Sequence, residues 1–152
     1  MNEKLVIYQA WVLFGSIGLV LIMLLILYIY NYMFIKNNSR ELSERIYGIE
    51  EYLDNIGINF ETVLKLNFVF SFMFFSRFIE YPSLGRMSYF VKRGEKNVSL
   101  YPNLYQDNVF YLCKKFKKQI ITHEVLEIIC ILIGIIMFSY KYIANFIINL
   151  GF

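Results

Sequence analysis

Residues 120–148 read IITHEVLEIICILIGIIMFSYKYIANFII, and the fold turns on how the few polar side chains in this run are distributed. At about 100° per residue, His123, Glu127, Cys130, Gly134, Met137, Lys141 and Asn145 fall within roughly 40° either side of one line along a helix. Spacings of four and three carry the same face back through Ile120, Phe116, Cys113 and Val109. The rest is nearly all Ile, Leu, Phe, Val and Tyr, with Thr122, Glu124 and Ser139 as polar residues off the line. Ionisable groups facing lipid are costly, so a stripe of this kind in a membrane helix must face protein or water.

Of the 152 residues, 58% are hydrophobic and 19% aromatic, and the mean hydropathy is +0.49. That is too apolar for a solvated domain and indicates an integral membrane protein. Residues 5–35 form a second apolar run, broken only by Gln9, Ser16 and Asn31 and well beyond the ~20 residues a bilayer requires. It is too long for a signal-peptide core, and no small-x-small cleavage site comes after it. The expected fold is an all-α membrane protein with two transmembrane helices. The first lies in residues 1–37. Residues 38–105 form a small, mainly helical cytoplasmic domain with room for a short β-hairpin. In residues 106–152 a juxtamembrane helix continues into the second crossing.

Of 15 Lys and Arg, all but Lys4 and Lys141 lie between the two apolar runs. By the positive-inside rule the middle faces the cytoplasm and both termini face outward across a bacterial inner membrane. Residues 36–118 carry 13 basic and 9 acidic side chains, a net +4 that favours an anionic leaflet or ligand. Neither Cys113, beside the membrane, nor Cys130, inside it, is placed for a disulfide. His123 and Glu127, four apart, have a spacing that can hold a metal, but two ligands without a second His are too few, and no metal or cofactor is expected.

Gln9, Ser16 and Asn31 share one face of the first helix. In an antiparallel pair Asn31 lies at the depth of His123 and Glu127, Ser16 near Cys130 to Met137, and Gln9 near Lys141 and Asn145. In one account the two stripes face each other and satisfy each other's hydrogen bonds. In the other, copies of the chain close a ring around them. Glu127 is then a cation-attracting girdle, Met137 and Ile131 a constriction near Gly134, and His123 a titratable inner mouth. Lys141 either lines that path or snorkels to the outer interface between Tyr140 and Tyr142.

In residues 38–63, Leu42, Ile46, Ile49, Leu53, Ile56, Phe60 and Val63 repeat four-three, the seam of a coiled coil, with Asn38 and Glu41 as a capping box. Residues 66–79 hold six phenylalanines and are interrupted by Asn67, Ser71, Ser76 and Arg77. At about 21 Å this stretch is short for a crossing, which suggests a helix buried in the cytoplasmic domain or lying at the inner interface. Alternating Phe68, Phe70, Phe72 and Phe74 keeps a strand open. Residues 88–91 and 98–101 can pair as a hairpin whose loop carries Lys92, Arg93 and Lys96 beside Tyr89, Phe90 and Tyr101. With Arg86 nearby, cations beside aromatics suit a nucleotide or short single strand, or else anionic headgroups. Asn103 is placed to cap the last helix. Lys114, Lys115, Lys117 and Lys118 form a positive-inside anchor and a lipid- or ligand-binding cluster.

Asp107, Cys113 and the run Lys114-Lys115-Phe116-Lys117-Lys118-Gln119-Ile120-Ile121 resemble the corresponding stretch of the universal stress protein B family. That family has the same layout of N-terminal membrane helix, cytoplasmic middle and C-terminal membrane helix. The middle is longer here, and the resemblance supplies no catalytic residues. By layout alone the chain is also similar to small two-helix membrane effectors of bacterial antiphage defence. The leading expectation is a homo-oligomeric inner-membrane ion channel or pore-forming effector, gated by its basic cytoplasmic domain through a nucleotide or oligonucleotide. The alternative is a non-conducting, stress-related membrane adaptor that recruits a partner or anionic lipid. No nucleophile and base pair, metal set or cofactor fingerprint points to an enzyme.

Overall fold

A computed structural model describes residues 3–95 and 100–149, apart from the side chains of Lys4 and Ile148. All regular elements among them are helical. They are α1 (Glu3–Asn37), α2 (Ser39–Tyr47), α3 (Tyr52–Ile56), α4 (Phe60–Phe74), α5 (Tyr81–Leu84), α6 (Gln106–Lys115), α7 (Lys117–Phe138) and α8 (Tyr140–Asn149). A π-helical segment, Phe75–Glu80, joins α4 to α5. It widens the helix just before Pro82, whose ring has no N–H to donate and crowds the preceding turn.

Three helices are long and apolar enough to cross a membrane: Leu5–Asn37, Phe60–Leu84 and Lys117–Phe138. The middle one is the unexpected member. The apolar stretch foreseen at fourteen residues lies in a helix of 25, about 37 Å long, because polar Glu61, Lys65 and Glu80 are taken into it rather than ending it. It is a helix and not a strand, and it is not buried on all sides. Leu66, Val69, Phe70 and Met73 face the interior, whereas Phe60, Leu64, Phe68, Phe72, Phe75 and Ile79 form an exposed apolar ridge at spacings of four and three.

The chain divides into two compact units, residues 1–27 with 125–152, and residues 28–124. In the first, Trp11, Phe14, Leu21, Phe138 and Tyr142 are largely exposed, Phe138 to 81%. Exposed apolar surface this continuous belongs against lipid or another protein.

In the second unit the last turns of α1 and the first turns of α7 join α2, α4 and α6 around one core. Tyr28 meets Phe60 (5.6 Å between ring centroids), Phe34 meets Phe70 (5.3 Å), and Phe116 closes on Phe34 (5.2 Å). Since 28 pairs with 60 and 34 with 70, α4 runs parallel to the end of α1. Cys113 Sγ lies 3.9 Å from the Met73 carbonyl and Arg77 lies over the Phe110 ring, so α6 runs antiparallel to α4.

Several local expectations are corrected. The seam of residues 38–63 is not one helix: Gly48 (φ 79°) ends α2 and Gly57 (φ 75°) lies between α3 and α4, backbone conformations that L side chains rarely adopt. Leu42, Ile46, Leu53 and Val63 are spent on the chain's own core, while Ile49, Ile56 and Phe60 are exposed. No capping box forms, because the Asn38 amide donates to the Phe34 carbonyl (2.8 Å) and Glu41 turns to Lys115 and Tyr111. Asn103 does not cap α6, which begins after Tyr105. Its amide and backbone N–H satisfy the Glu44 and Ile46 carbonyls at the end of α2. Residues 88–91 are irregular, held by the Gln106 amide donating to the Met87 and Phe90 carbonyls. The expected partner strand includes residues 98 and 99, which lie outside the described residues.

Glu41 is the acidic anchor between α2 and α6, 2.5 Å from Lys115 Nζ and 2.7 Å from Tyr111 Oη. Desolvation pushes its carboxyl upward, but hydrogen bonds from Lys115 and Tyr111 and the charges of Lys115 and Arg45 outweigh this and hold it below the ordinary glutamate value. The stability it confers is present above the unfolded-state glutamate pKa and is lost as pH falls through the depressed one. Glu41→Gln is therefore expected to cost less than about 1 kcal/mol near neutrality, the pair being partly exposed, and to flatten the acid limb of a pH–stability profile. An unchanged acid limb would remove Glu41 from this role.

Candidate functional site

The most closed polar arrangement is in the second unit, where α1, α4 and α7 meet. Asn31 is 0% and His123 1% exposed, and Glu124 is buried beside them. The Asn31 amide nitrogen donates to Nδ1 of His123 (3.1 Å) and to Oδ1 of Asn67. On the other side of the imidazole, Nε2 lies 3.4 Å from Ser71 Oγ and 3.6 Å from Glu124 Oε1. With Nδ1 accepting from Asn31, the proton of a neutral imidazole sits on Nε2, facing the hydroxyl and the carboxylate. Phe70 packs edge-on against the ring at 5.9 Å. The Ser71 hydroxyl also donates to the Asn67 carbonyl one turn back (3.1 Å). The site is an interhelical hydrogen-bond network packed against the aromatic core.

Asn67 and Ser71 were not among the site residues expected from sequence, although a signal existed. They are four apart, so these two polar breaks in the phenylalanine-rich helix share one face. That face is the one turned to His123.

The remainder of the stripe behaves differently along its length. Glu127, Cys130, Gly134 and Met137 are half-buried, while Ile128, Ile131, Leu132 and Ile135 beside them are exposed. Ser16 is buried, its hydroxyl bonded to the Leu13 carbonyl (2.9 Å), and Gln9 is half-buried. Lys141 and Asn145 do not continue the half-buried face. The helix is interrupted at Ser139, and on α8 Ala144 is buried while Lys141 and Asn145 are exposed.

The basic residues do not form one patch. Lys115 is engaged by Glu41, and its ammonium lies 5.8 Å from the Tyr111 ring. Lys114 and Lys117 line a different cavity of about 380 Å³ together with Arg77, Phe110 and Cys113. Lys118 is exposed. Burial pushes the Cys113 thiol up to about 12, against the opposing charge of Arg77, and so favours the protonated thiol. Arg86, Lys92 and Arg93 are exposed, and Lys96 lies outside the described residues. Of the aromatics expected to stack on a ligand, Tyr89 is already stacked on Phe72 (4.2 Å, 13° between planes) and Phe90 is buried. Tyr101 donates to the Lys65 carbonyl (3.2 Å). These rings line an apolar cavity of about 200 Å³ with Phe68, Leu100 and Leu104. Its walls offer hydrocarbon rather than cations.

Comparison with protein-family models, with curated proteins and with solved structures found no match.

Proposed function

We propose that the chain is a non-conducting membrane adaptor. Two long helices anchor it, and the unit 28–124, basic in composition, lies at the cytoplasmic side of a bacterial inner membrane. The observation that carries this reading is the closure of the polar stripe at its inner end. His123, which would be the inner mouth of a conduit, is buried and bonded to Asn31 beside Phe70. Polar side chains that satisfy one another between helices act as packing contacts.

Two crossings rather than three are supported by the partners of α4. Its first turn meets Tyr28, and later residues meet Asn31 and Phe34 as α1 approaches its end, so Phe60–Leu84 leads away from the bilayer. The exposed ridge on α4 then rests at the inner interface. The basic excess of residues 36–118 supports a cytoplasmic middle with both termini outside. The resemblance to the universal stress protein B family around residues 107–121 supports a stress-associated role.

A homo-oligomeric ion channel or effector, opened by an anionic ligand such as a nucleotide, is the second reading. It is favoured by the exposed Lys141 and Asn145 in an otherwise apolar helix, polar groups that a neighbouring copy would cover. Ion flux through liposomes holding the purified protein decides between the two, with native chain compared to Glu127→Gln and Lys141→Met. The adaptor is expected to show flux at background level in all three, with and without added oligonucleotide. Flux whose selectivity changes with either substitution would replace the adaptor by the channel.

A further inference from the structure

The cavity between the π-helical segment and α6 has the chemistry of an anion site. The Arg77 guanidinium lies 4.5 Å from the Phe110 ring centroid and 5.4 Å from that of Tyr81. Such stacking fixes the plane of the guanidinium and leaves its N–H edges for a planar or tetrahedral oxyanion. Lys114 and Lys117, one turn apart, stand on the same wall. Among the described residues, none of these three cations takes part in an ion pair, in contrast to Arg40, Lys65 and Lys115, each held by a glutamate. Three cations without a carboxylate partner around about 380 Å³ repel one another, and an anion relieves that repulsion.

The position selects the anion's source. Lys117 opens the apolar helix Lys117–Phe138, and Phe110 lies two turns before it, so the cavity covers about 10 Å just outside the hydrocarbon. Headgroup phosphates occupy that layer. Phe78 and Phe110 add apolar walls on which glycerol and upper acyl carbons can lie.

We propose that Arg77, Lys114 and Lys117 form a binding site for the phosphate of an anionic membrane lipid. The site deepens the adaptor reading and rests on its membrane placement, but not on whether the protein conducts. Full-length protein in neutral detergent, titrated with phosphatidylglycerol or phosphatidylcholine and examined by native mass spectrometry, tests it. One phosphatidylglycerol per chain is expected, with little phosphatidylcholine retained. Lys114→Gln/Lys117→Gln is expected to weaken phosphatidylglycerol binding about fivefold per cation removed, whereas Lys92→Gln/Arg93→Gln, the same charge lost from an exposed turn, leaves it unchanged. Arg77→Gln is expected to weaken it at least as much as one lysine. Because Arg77 also braces Phe110, the exposed lysine pair decides the matter if that variant misfolds. Equal losses in the turn control, or equal retention of both lipids, would overturn the site. Displacement of the lipid by excess inorganic phosphate would reassign it to a soluble phosphate. The flux measurement is independent, so failure here and failure of the adaptor reading are separately visible.

Discussion

Phe70→Ala is expected to lower the unfolding free energy of the detergent-solubilised protein by about 3–5 kcal/mol, the largest loss expected from any single truncation in this core. The ring is 1% exposed and lies between Phe34 of α1 and His123 of α7. Its removal takes away buried area, opens a cavity where three helices meet, and strips the apolar wall from an imidazole whose hydrogen bonds depend on enclosure. Phe72, two residues on, faces outward and stacks on Tyr89 at the surface. Phe72→Ala is expected to cost no more than about 1.5 kcal/mol, since its ring is already partly in contact with solvent and its loss leaves no enclosed cavity. Denaturant titration followed by tyrosine and tryptophan fluorescence measures both. Equal losses would mean that α4 does not turn the Phe70 face inward.

The second large effect concerns the Asn31–His123 contact. His123→Leu is expected to cost about 2–4 kcal/mol, because Asn31 loses an acceptor and the Ser71 hydroxyl and Glu124 carboxylate lose the imidazole N–H. Asn31→Leu is expected to cost less, about 1–2 kcal/mol. Its own Oδ1 is buried without a hydrogen-bond partner among the described residues, and that penalty leaves with the side chain. With both replaced, the loss is expected to fall short of the sum by about 1 kcal/mol, within the range of interhelical hydrogen bonds in membranes. Strict additivity in this double-mutant cycle would show that the two side chains do not interact. The adaptor reading would then lose the observation that carries it.

The placement of Asn31 illustrates how far periodicity reaches. Counting residues along two antiparallel apolar runs sets Asn31 at the depth of His123, and the two side chains meet at 3.1 Å. The same counting sets Lys141 and Asn145 on one face with Glu127, on the assumption of an unbroken helix. Past the turn at Ser139, Lys141 and Asn145 are exposed, and Ala144, seven residues after Met137 and close to it in helical phase, is the buried residue. Gly48 and Gly57 break the heptads of residues 38–63: the apolar spacing is real, but two positive-φ glycines cut it into pieces that turn Leu42, Ile46 and Leu53 into one core.

The sequence by itself determined the helical class, the first and last of the three long apolar helices, the gathering of polar residues on one face and the concentration of cations between the apolar runs. These are properties of composition and of short-range period, which a residue carries wherever the chain goes. Tertiary structure decided which polar residues become partners. Asn67 and Ser71 complete the His123 network, Lys115 is taken by Glu41, and Arg77 joins Lys114 and Lys117 around one cavity. Each of these contacts joins helices far apart in the chain. Their geometry depends on how α4 and α6 pack against the ends of the long helices, and no local period encodes that packing.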